Sequence, residues 1–287
     1  MKFLNLILVA LILSSCSKNE EQQVVEIDYW TTQEELNSFQ NELDNTGIFE
    51  GDITVGHDIN DLSALSNLTE ITGELSISAS KLEKIHLPEL EYVSKLELRG
   101  NNTLKTIDLP KIKTISDYIL IFGNSELKTI QMNELQSIEE YGVNIVDNDS
   151  LIMIELQKLE SYRGLNIRWN PLLKHLNLRK SIPEKCEDIR LQFDFIDTHS
   201  VLFQNSSDFC FLEVEILNAN NSNLNWLINL DGDNILNHTY LVGEFETNQF
   251  CFLKEKLSQM NYPLNFKVGK SFNSTDFTGL EIIRECN

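Results

Sequence analysis

The side chains most often used in catalysis are scattered along this chain instead of being grouped. Its five histidines stand one at a time, at His57, His86, His175, His199 and His238. Hydrolases, nucleotide-binding enzymes and zinc proteases carry a nucleophile, phosphate or zinc motif of fixed spacing, and this sequence contains none of them. The histidines are therefore predicted to be surface residues. We expect a protein that is not an enzyme and that needs no cofactor.

Two short acidic stretches, 147–149 and 231–234, are the groups most similar to calcium ligands. A calcium loop requires more oxygen ligands at set intervals and a distal Glu, whereas Asp and Asn are common in turns. Both stretches are therefore predicted to be turns, and no metal site is expected. The net charge of −21 also argues against nucleic acid as a partner, because nucleic acid binds to basic surfaces.

The N-terminus has the organisation of an export signal, in which Lys2 precedes an apolar run at 3–13. This run is too short to span a bilayer, which takes about 20 residues. The sequence LSSC at 13–16 resembles a bacterial lipobox. The acidic stretch SKNEE that follows it at 17–21 resembles the export tag of Bacteroidota surface lipoproteins. The resemblance implies a lipoprotein signal peptide at 1–15, a lipid on Cys16 and a flexible tether at 16–30. It also implies an exported outer-membrane lipoprotein at the cell surface, with an ordinary secretion signal as the alternative.

The four cysteines beyond Cys16 all lie in the last third of the chain, at Cys186, Cys210, Cys251 and Cys286. An even number of cysteines in an exported chain favours two disulfides, for which three pairings are possible. Short loops favour Cys186 with Cys210 and Cys251 with Cys286. Zinc binding is the alternative, but the sequence has no Cys-x-x-Cys pair to support it.

A pattern that recurs about every 22 residues runs from 52 to 178. Six aligned copies begin with two apolar residues separated by one other residue: 53–55, 75–77, 96–98, 119–121, 143–145 and 165–167. Such a period predicts a solenoid, in which each turn buries its apolar side against the next turn. Each turn offers about seven inward apolar positions. Before the first copy, Thr32 and Glu35 form a capping box that predicts a short helix over the open end.

One polar position recurs three residues after the second apolar residue of the last five copies. It is occupied by Ser80, Asn101, Asn124, Asn148 and Asn170. A hydroxyl or amide side chain at a corner can satisfy backbone groups that strand pairing leaves free, and Asn tolerates left-handed backbone conformations. These residues are therefore predicted to stack as a structural ladder inside the corner, with ligand binding as the alternative.

Three stretches carry a more specific resemblance: DLSALSNLTEI at 61–71, GELSI at 73–77 and LKTIDLP at 104–110. They resemble the receptor L-domain repeats of the leucine-rich-repeat superfamily, and the stretch 31–39 is similar to the lead-in of bacterial members. The resemblance covers 31–182. It implies a β-rich, right-handed β-solenoid of about six turns with an N-terminal capping helix, and a binding or adhesive role. It implies no catalytic residues and no particular ligand.

Alternation along the first strand of each turn predicts which side chains face outward. Polar residues are expected on an exposed sheet, so the apolar outward residues Leu120, Phe122 and Val146 are unusual. With their polar neighbours they form a candidate surface for a protein or glycan ligand: Arg99, Leu120, Phe122, Asn144, Val146, Asn166 and Arg168. The alternative is that the C-terminal part of the chain covers these residues.

Past residue 182 the 22-residue pattern is replaced by another. The tetrapeptide Phe-Cys-Phe-Leu at 209–212 recurs at 250–253. Each copy precedes a stretch that predicts a helix, at 213–218 and 254–260, and then one that predicts a strand, at 224–230 and 264–268. We therefore expect residues 183–287 to form a small cysteine-containing α+β module, either a cap or a separate domain.

These features predict a lipid-anchored cell-surface protein that binds or adheres to a protein or glycan, and that contacts the outer membrane only through its lipid. One alternative is an enzyme on a β-helix that acts on polysaccharides. That enzyme would show carboxylates clustered across adjacent turns, whereas Glu97 is followed on the next turn by Leu120. Another alternative is a structural spacer that presents the C-terminal module.

Overall fold

The structure is a computed structural model that describes residues 27–39, 46–178, 188–193, 211–216, 239–260, 262–270 and 275–286. Several predicted features lie outside the described residues: the signal at 1–15, Cys16, the tether up to residue 26, Cys186, His199, Cys210, the predicted strand at 224–230, the stretch 231–234 and His238. Within the described ranges the chain is β-rich and forms a parallel β-solenoid with about 22 residues per turn, as the sequence predicts.

Most of the described secondary structure is strand. In chain order the strands are β1 (Ile27–Thr32), β2 (Ile48–Phe49), β3 (Asp52–Asp58), β4 (Glu70–Ser78), β5 (Lys84–His86), β6 (Tyr92–Arg99), β7 (Thr106–Asp108), β8 (Thr114–Ile115), β9 (Tyr118–Phe122), β10 (Thr129–Gln131), β11 (Ser137–Ile138), β12 (Gly142–Val146), β13 (Met153–Leu156), β14 (Gly164–Arg168), β15 (His175–Leu178), β16 (Asp188–Phe193), β17 (Phe211–Ile216), β18 (Thr239–Val242), β19 (Lys267–Gly269) and β20 (Phe277–Thr278). The helices are α1 (Gln33–Phe39), α2 (Lys254–Ser258) and α3 (Gly279–Glu285), with 3-10 turns at Ser63–Leu65, Thr247–Leu253 and Pro263–Asn265.

The strands form two sheets that run along the solenoid. The first sheet has the order β1-β3-β4-β6-β9-β12-β14-β16-β17-β18-β19-β20, and the second has the order β15-β13-β10-β7-β5. Neighbouring strands are parallel except for β19 and β20, which are antiparallel. Equivalent residues of successive turns therefore lie side by side, so a residue type that repeats in the sequence becomes a column in the structure.

The core of each turn consists of the seven apolar residues that the repeat predicts. In the third turn all seven are fully buried: Leu96, Leu98, Leu104, Ile107, Leu109, Ile112 and Ile115. They come from both sheets and from the corners between them, so the apolar residues fill the space inside the coil. Because each turn packs on its neighbours, the buried side chains also fix the register of the sheets.

The N-terminal end of the solenoid is covered as the capping box predicts. The Thr32 hydroxyl accepts a hydrogen bond from the Glu35 amide at 3.3 Å, and the Glu35 carboxylate accepts one from the Thr32 amide at 3.0 Å. The helix α1 that follows buries Phe39, whose ring centroid lies 4.6 Å from that of Trp30. Residues 27–30 were predicted as tether, but they belong to β1, because their backbone pairs with β3.

The first sheet continues beyond residue 182. Strand β14 pairs with β16, β16 with β17, and β17 with β18, all in parallel. The helix predicted at 213–218 is therefore wrong, because residues 211–216 form β17. Its sequence alternates Leu212, Val214 and Ile216 with two glutamates, a period of two that is typical of strands.

A small region of helices and short strands closes the described chain. The helix predicted at 254–260 is present as α2 over Lys254–Ser258, and the strand predicted at 264–268 is limited to β19. The predicted disulfide between Cys251 and Cys286 is formed, with 5.2 Å between the two Cα atoms, and it links the 3-10 turn at Thr247–Leu253 to the end of α3. None of the helices in the described part is long and apolar enough to cross a membrane.

Candidate functional site

The five residues of the predicted ladder form one continuous column of hydrogen bonds inside the corner. Asn124 illustrates the pattern: its Oδ1 accepts from the Asn101 amide N–H at 3.0 Å and from Asn101 Nδ2 at 3.1 Å. Its Nδ2 donates to the carbonyls of Leu98 and Phe122, at 3.1 and 3.3 Å. The residues of the ladder are buried: Ser80, Asn101, Asn124, Asn148 and Asn170. These hydrogen bonds occupy the amides within the fold, so the ladder has no surface to offer to a ligand.

The residue before each member of the ladder adopts a left-handed conformation. The φ angles are positive at Ala79, Gly100, Gly123, Asp147 and Trp169, with values of 50°, 61°, 67°, 61° and 56°. This turn of the backbone directs the next side chain into the corner. Glycine adopts the conformation without strain, whereas a bulky residue such as Trp169 is unusual there.

The seven predicted surface residues lie together on four adjacent strands of the first sheet. We call them the outer face: Arg99, Leu120, Phe122, Asn144, Val146, Asn166 and Arg168. One row aligns Leu120, Asn144 and Asn166, and the parallel row aligns Arg99, Phe122, Val146 and Arg168. The structure therefore brings all seven residues onto one surface of β6, β9, β12 and β14.

The apolar residues of the outer face are less exposed than alternation predicts. Phe122 is 39% exposed and Leu120 is half-buried, but Val146 is only 9% exposed. The prediction of an exposed Val146 is therefore wrong. Its short side chain lies in register between two residues with longer side chains, Phe122 and Arg168. The outer face consequently has no broad apolar centre.

At one end of the outer face, Arg99 is engaged by neighbouring residues. Its Nε lies 2.5 Å from Glu97 Oε1, and Glu97 Oε2 accepts a hydrogen bond from the Tyr118 hydroxyl at 2.9 Å. Burial and this hydrogen bond raise the pKa of Tyr118 to about 12, so its hydroxyl stays protonated at neutral pH. Burial, and then repulsion from Glu97, raise the pKa of Glu74. The positive charge of Arg99 is therefore balanced by the carboxylate of Glu97.

The centre of the outer face consists of two neighbouring amides, and a pair of glycines lies next to them. Asn166 Nδ2 donates to Asn144 Oδ1 at 3.1 Å, and Asn166 Oδ1 is buried without a hydrogen-bond partner. Next to this pair, Gly142 lies opposite Gly164. A Cβ atom on Gly142, where φ is +124°, would lie 2.1 Å from the Gly164 carbonyl oxygen. This close approach of the two strands requires glycine at position 142.

The other end of the outer face adjoins Trp169, which the sequence analysis missed. The Trp169 side chain is 56% exposed, and the Arg168 guanidinium lies 5.5 Å from the centre of its ring, a cation–π contact. Tyr141, also missed, is 67% exposed directly before Gly142. The available signal for Trp169 was that a tryptophan stands where the preceding turns have Gly123 and Asp147.

The second sheet carries ion pairs on its outward row. Asp108 lies 2.8 Å from His86 Nδ1 and 2.9 Å from Lys84 Nζ. The described histidines are all exposed: His57, His86 and His175. Within the described ranges, no three or more His, Cys, Asp or Glu side chains form a group that could hold a metal ion.

Residues 37–157 match the family model described as Receptor L domain. This match and the parallel solenoid agree with the resemblance of the repeats to receptor L domains. No curated protein and no solved structure matches the chain.

Proposed function

We propose that this chain, whose residues 37–157 carry a receptor L domain, binds a protein or glycan ligand with the outer face of its solenoid. The matched family is a ligand-binding, non-enzymatic one. In this proposal the protein is exported, becomes lipidated at Cys16 and is held at the outer membrane with the solenoid at the cell surface.

The observation that carries the proposal is the contrast between the two sets of repeated polar residues. The amides of the Asn ladder are consumed by hydrogen bonds within the fold. On the outer face, by contrast, Phe122 and Arg99 are exposed, and Asn144 and Arg168 are half-buried at the surface. Aromatic, amide and guanidinium groups that reach solvent on one surface support a role in recognition.

The composition of the outer face favours binding over catalysis. The carboxylate of Glu97, which is in register with Leu120, is already engaged by Arg99 and Tyr118. The spacer alternative gains no support either, because the first sheet runs on through β16, β17 and β18 instead of ending before the C-terminal region.

The decisive experiment is the double substitution Phe122→Ala with Arg168→Ala in the full chain. We expect it to abolish binding in a screen of immobilised glycans and surface proteins while the melting curve is retained, because both side chains lie largely outside the core. Unchanged binding would remove the assignment of the outer face. Separately, Cys16→Ala is expected to release the protein from the membrane fraction, and retention there would contradict lipid anchoring.

A further inference from the structure

Trp169 is unfavourable for the fold in two respects. Its φ of +56° is the left-handed conformation, in which the side chain of a bulky residue is strained. Its ring is also 56% exposed, so folding removes less of its apolar surface from water than a core position would. The same corner position is filled by smaller residues in earlier turns, namely Ala79, Gly100, Gly123 and Asp147. A large, exposed and strained side chain at this position points to a function.

The surroundings of Trp169 offer a second kind of recognition chemistry. Along the outer face, Phe122, Val146 and Arg168 occupy successive strands, so Phe122 and Arg168 are about 10 Å apart at the usual strand spacing of ~4.8 Å. The adjacent row places the Asn144 and Asn166 amides side by side. Aromatic rings at the edge and amides in the middle form a shallow platform.

The chemistry of this platform suits a sugar. A carboxamide offers both donors and acceptors, as a pair of neighbouring hydroxyls requires. An exposed indole ring offers a flat apolar surface on which the C–H face of a sugar ring can stack. The span from Phe122 to Arg168 corresponds to roughly the length of a disaccharide.

The charge of the chain and the lack of an apolar centre on the outer face favour a neutral sugar over an anionic polymer or a protein. The chain carries a net charge of −21, which repels an anionic polymer at long range. At the platform itself Arg99 is neutralised by Glu97, and Arg168 packs on Trp169. A stable protein interface buries about 800 Å² per partner around an apolar centre. The outer face lacks such a centre, because Val146 is 9% exposed.

We therefore propose that Trp169, with Phe122, Asn144 and Asn166, binds a neutral oligosaccharide. A sugar ring stacks on the Trp169 indole, and its hydroxyls form hydrogen bonds with the Asn144 and Asn166 amides. The inference rests on the proposed function of the outer face and adds the chemical class of the ligand.

The test uses the full chain on an array of neutral oligosaccharides, uronic acid polymers and immobilised proteins, followed by calorimetric titration of the best neutral oligosaccharide. We expect binding to a neutral oligosaccharide and not to the uronic acid polymers. Trp169→Gly should weaken this binding at least tenfold while leaving the melting temperature unchanged or higher, because glycine relieves the strain. The control is Tyr262→Ala, an equally exposed aromatic in the C-terminal region, which should bind as the wild type does.

The outcomes distinguish the inference from the function on which it rests. Binding restricted to uronic acid polymers or to proteins, or binding to nothing on the array, overturns the neutral-sugar inference. So does wild-type affinity in Trp169→Gly. If a protein ligand is bound and the Phe122→Ala, Arg168→Ala double variant loses it, the proposed function stands while the sugar inference fails. If a neutral sugar is bound and neither variant weakens the binding, both proposals fail.

Discussion

Removing one amide from the Asn ladder should be costly, and Asn124→Ala tests this most directly. The Asn124 side chain makes five hydrogen bonds from a fully buried position: it accepts two from Asn101 and donates to the carbonyls of Leu98 and Phe122 and to Asn148 Oδ1. Alanine leaves the buried Asn101 amide N–H without its acceptor and removes the side-chain donor to the Leu98 carbonyl. A buried polar group that loses its partner costs about 1–3 kcal/mol, so we expect a loss of at least this size in the free energy of unfolding.

Urea unfolding of the full chain, followed by circular dichroism, measures this difference. The matched control is Asn102→Ala, because Asn102 stands at the same corner but is exposed and accepts only a long hydrogen bond, 3.4 Å, from Ser125. We expect the control to stay within about 0.5 kcal/mol of the wild type. A loss of less than about 1 kcal/mol in Asn124→Ala, or equal losses in the two variants, would refute a structural role for the ladder.

Two further predictions concern the turns and the N-terminal cap. Gly142→Ala should lower the melting temperature much more than Gly100→Ala: the new Cβ would lie 2.1 Å from the Gly164 carbonyl oxygen, whereas at Gly100 nothing lies within 4 Å and only the left-handed conformation costs about 1–2 kcal/mol. Equal melting temperatures would contradict the close approach of the two strands. Hydrogen bonds from the Thr31 and Thr32 amides lower the pKa of Glu35 below 4.5, so the cap stabilises the fold above that pH and weakens as pH falls through the lowered value. Glu35→Ala should therefore reduce the melting temperature at pH 7 and reduce it less at pH 3, and a difference independent of pH would disprove the role of its charge.

The sequence was sufficient to predict those parts of the structure that repeat. The 22-residue period predicts the stacking of turns, and the recurrence of Asn at one position predicts the column from Asn101 to Asn170. Both predictions succeed because parallel pairing converts periodicity along the chain into neighbours in space. The capping box of Thr32 and Glu35 could also be predicted, because its hydrogen bonds join residues that are close in the sequence.

Features that depend on residues of adjacent strands or on backbone dihedral angles could not be predicted from the sequence. Val146 is buried although its position faces outward, which alternation along one strand does not show. Trp169 is left-handed because it stands at the corner of its turn. In the sequence, only its position directly before Asn170 indicates this. The helix predicted at 213–218 is wrong because the period of two in the apolar residues of 211–216 is short and glutamates are also common in helices.

We propose that the outer face, and not another surface of the solenoid, binds the ligand. The most direct measurement compares Asn144→Trp with Thr129→Trp, which place the same bulky side chain on β12 in the first sheet and on β10 in the second. Both residues are half-buried and face outward. Asn144 lies in the middle of β12, and Thr129 is the first residue of β10. We predict that Asn144→Trp blocks binding to the ligand found in the array screen while Thr129→Trp retains the wild-type affinity. Retained binding in Asn144→Trp, or its loss only in Thr129→Trp, would contradict the account.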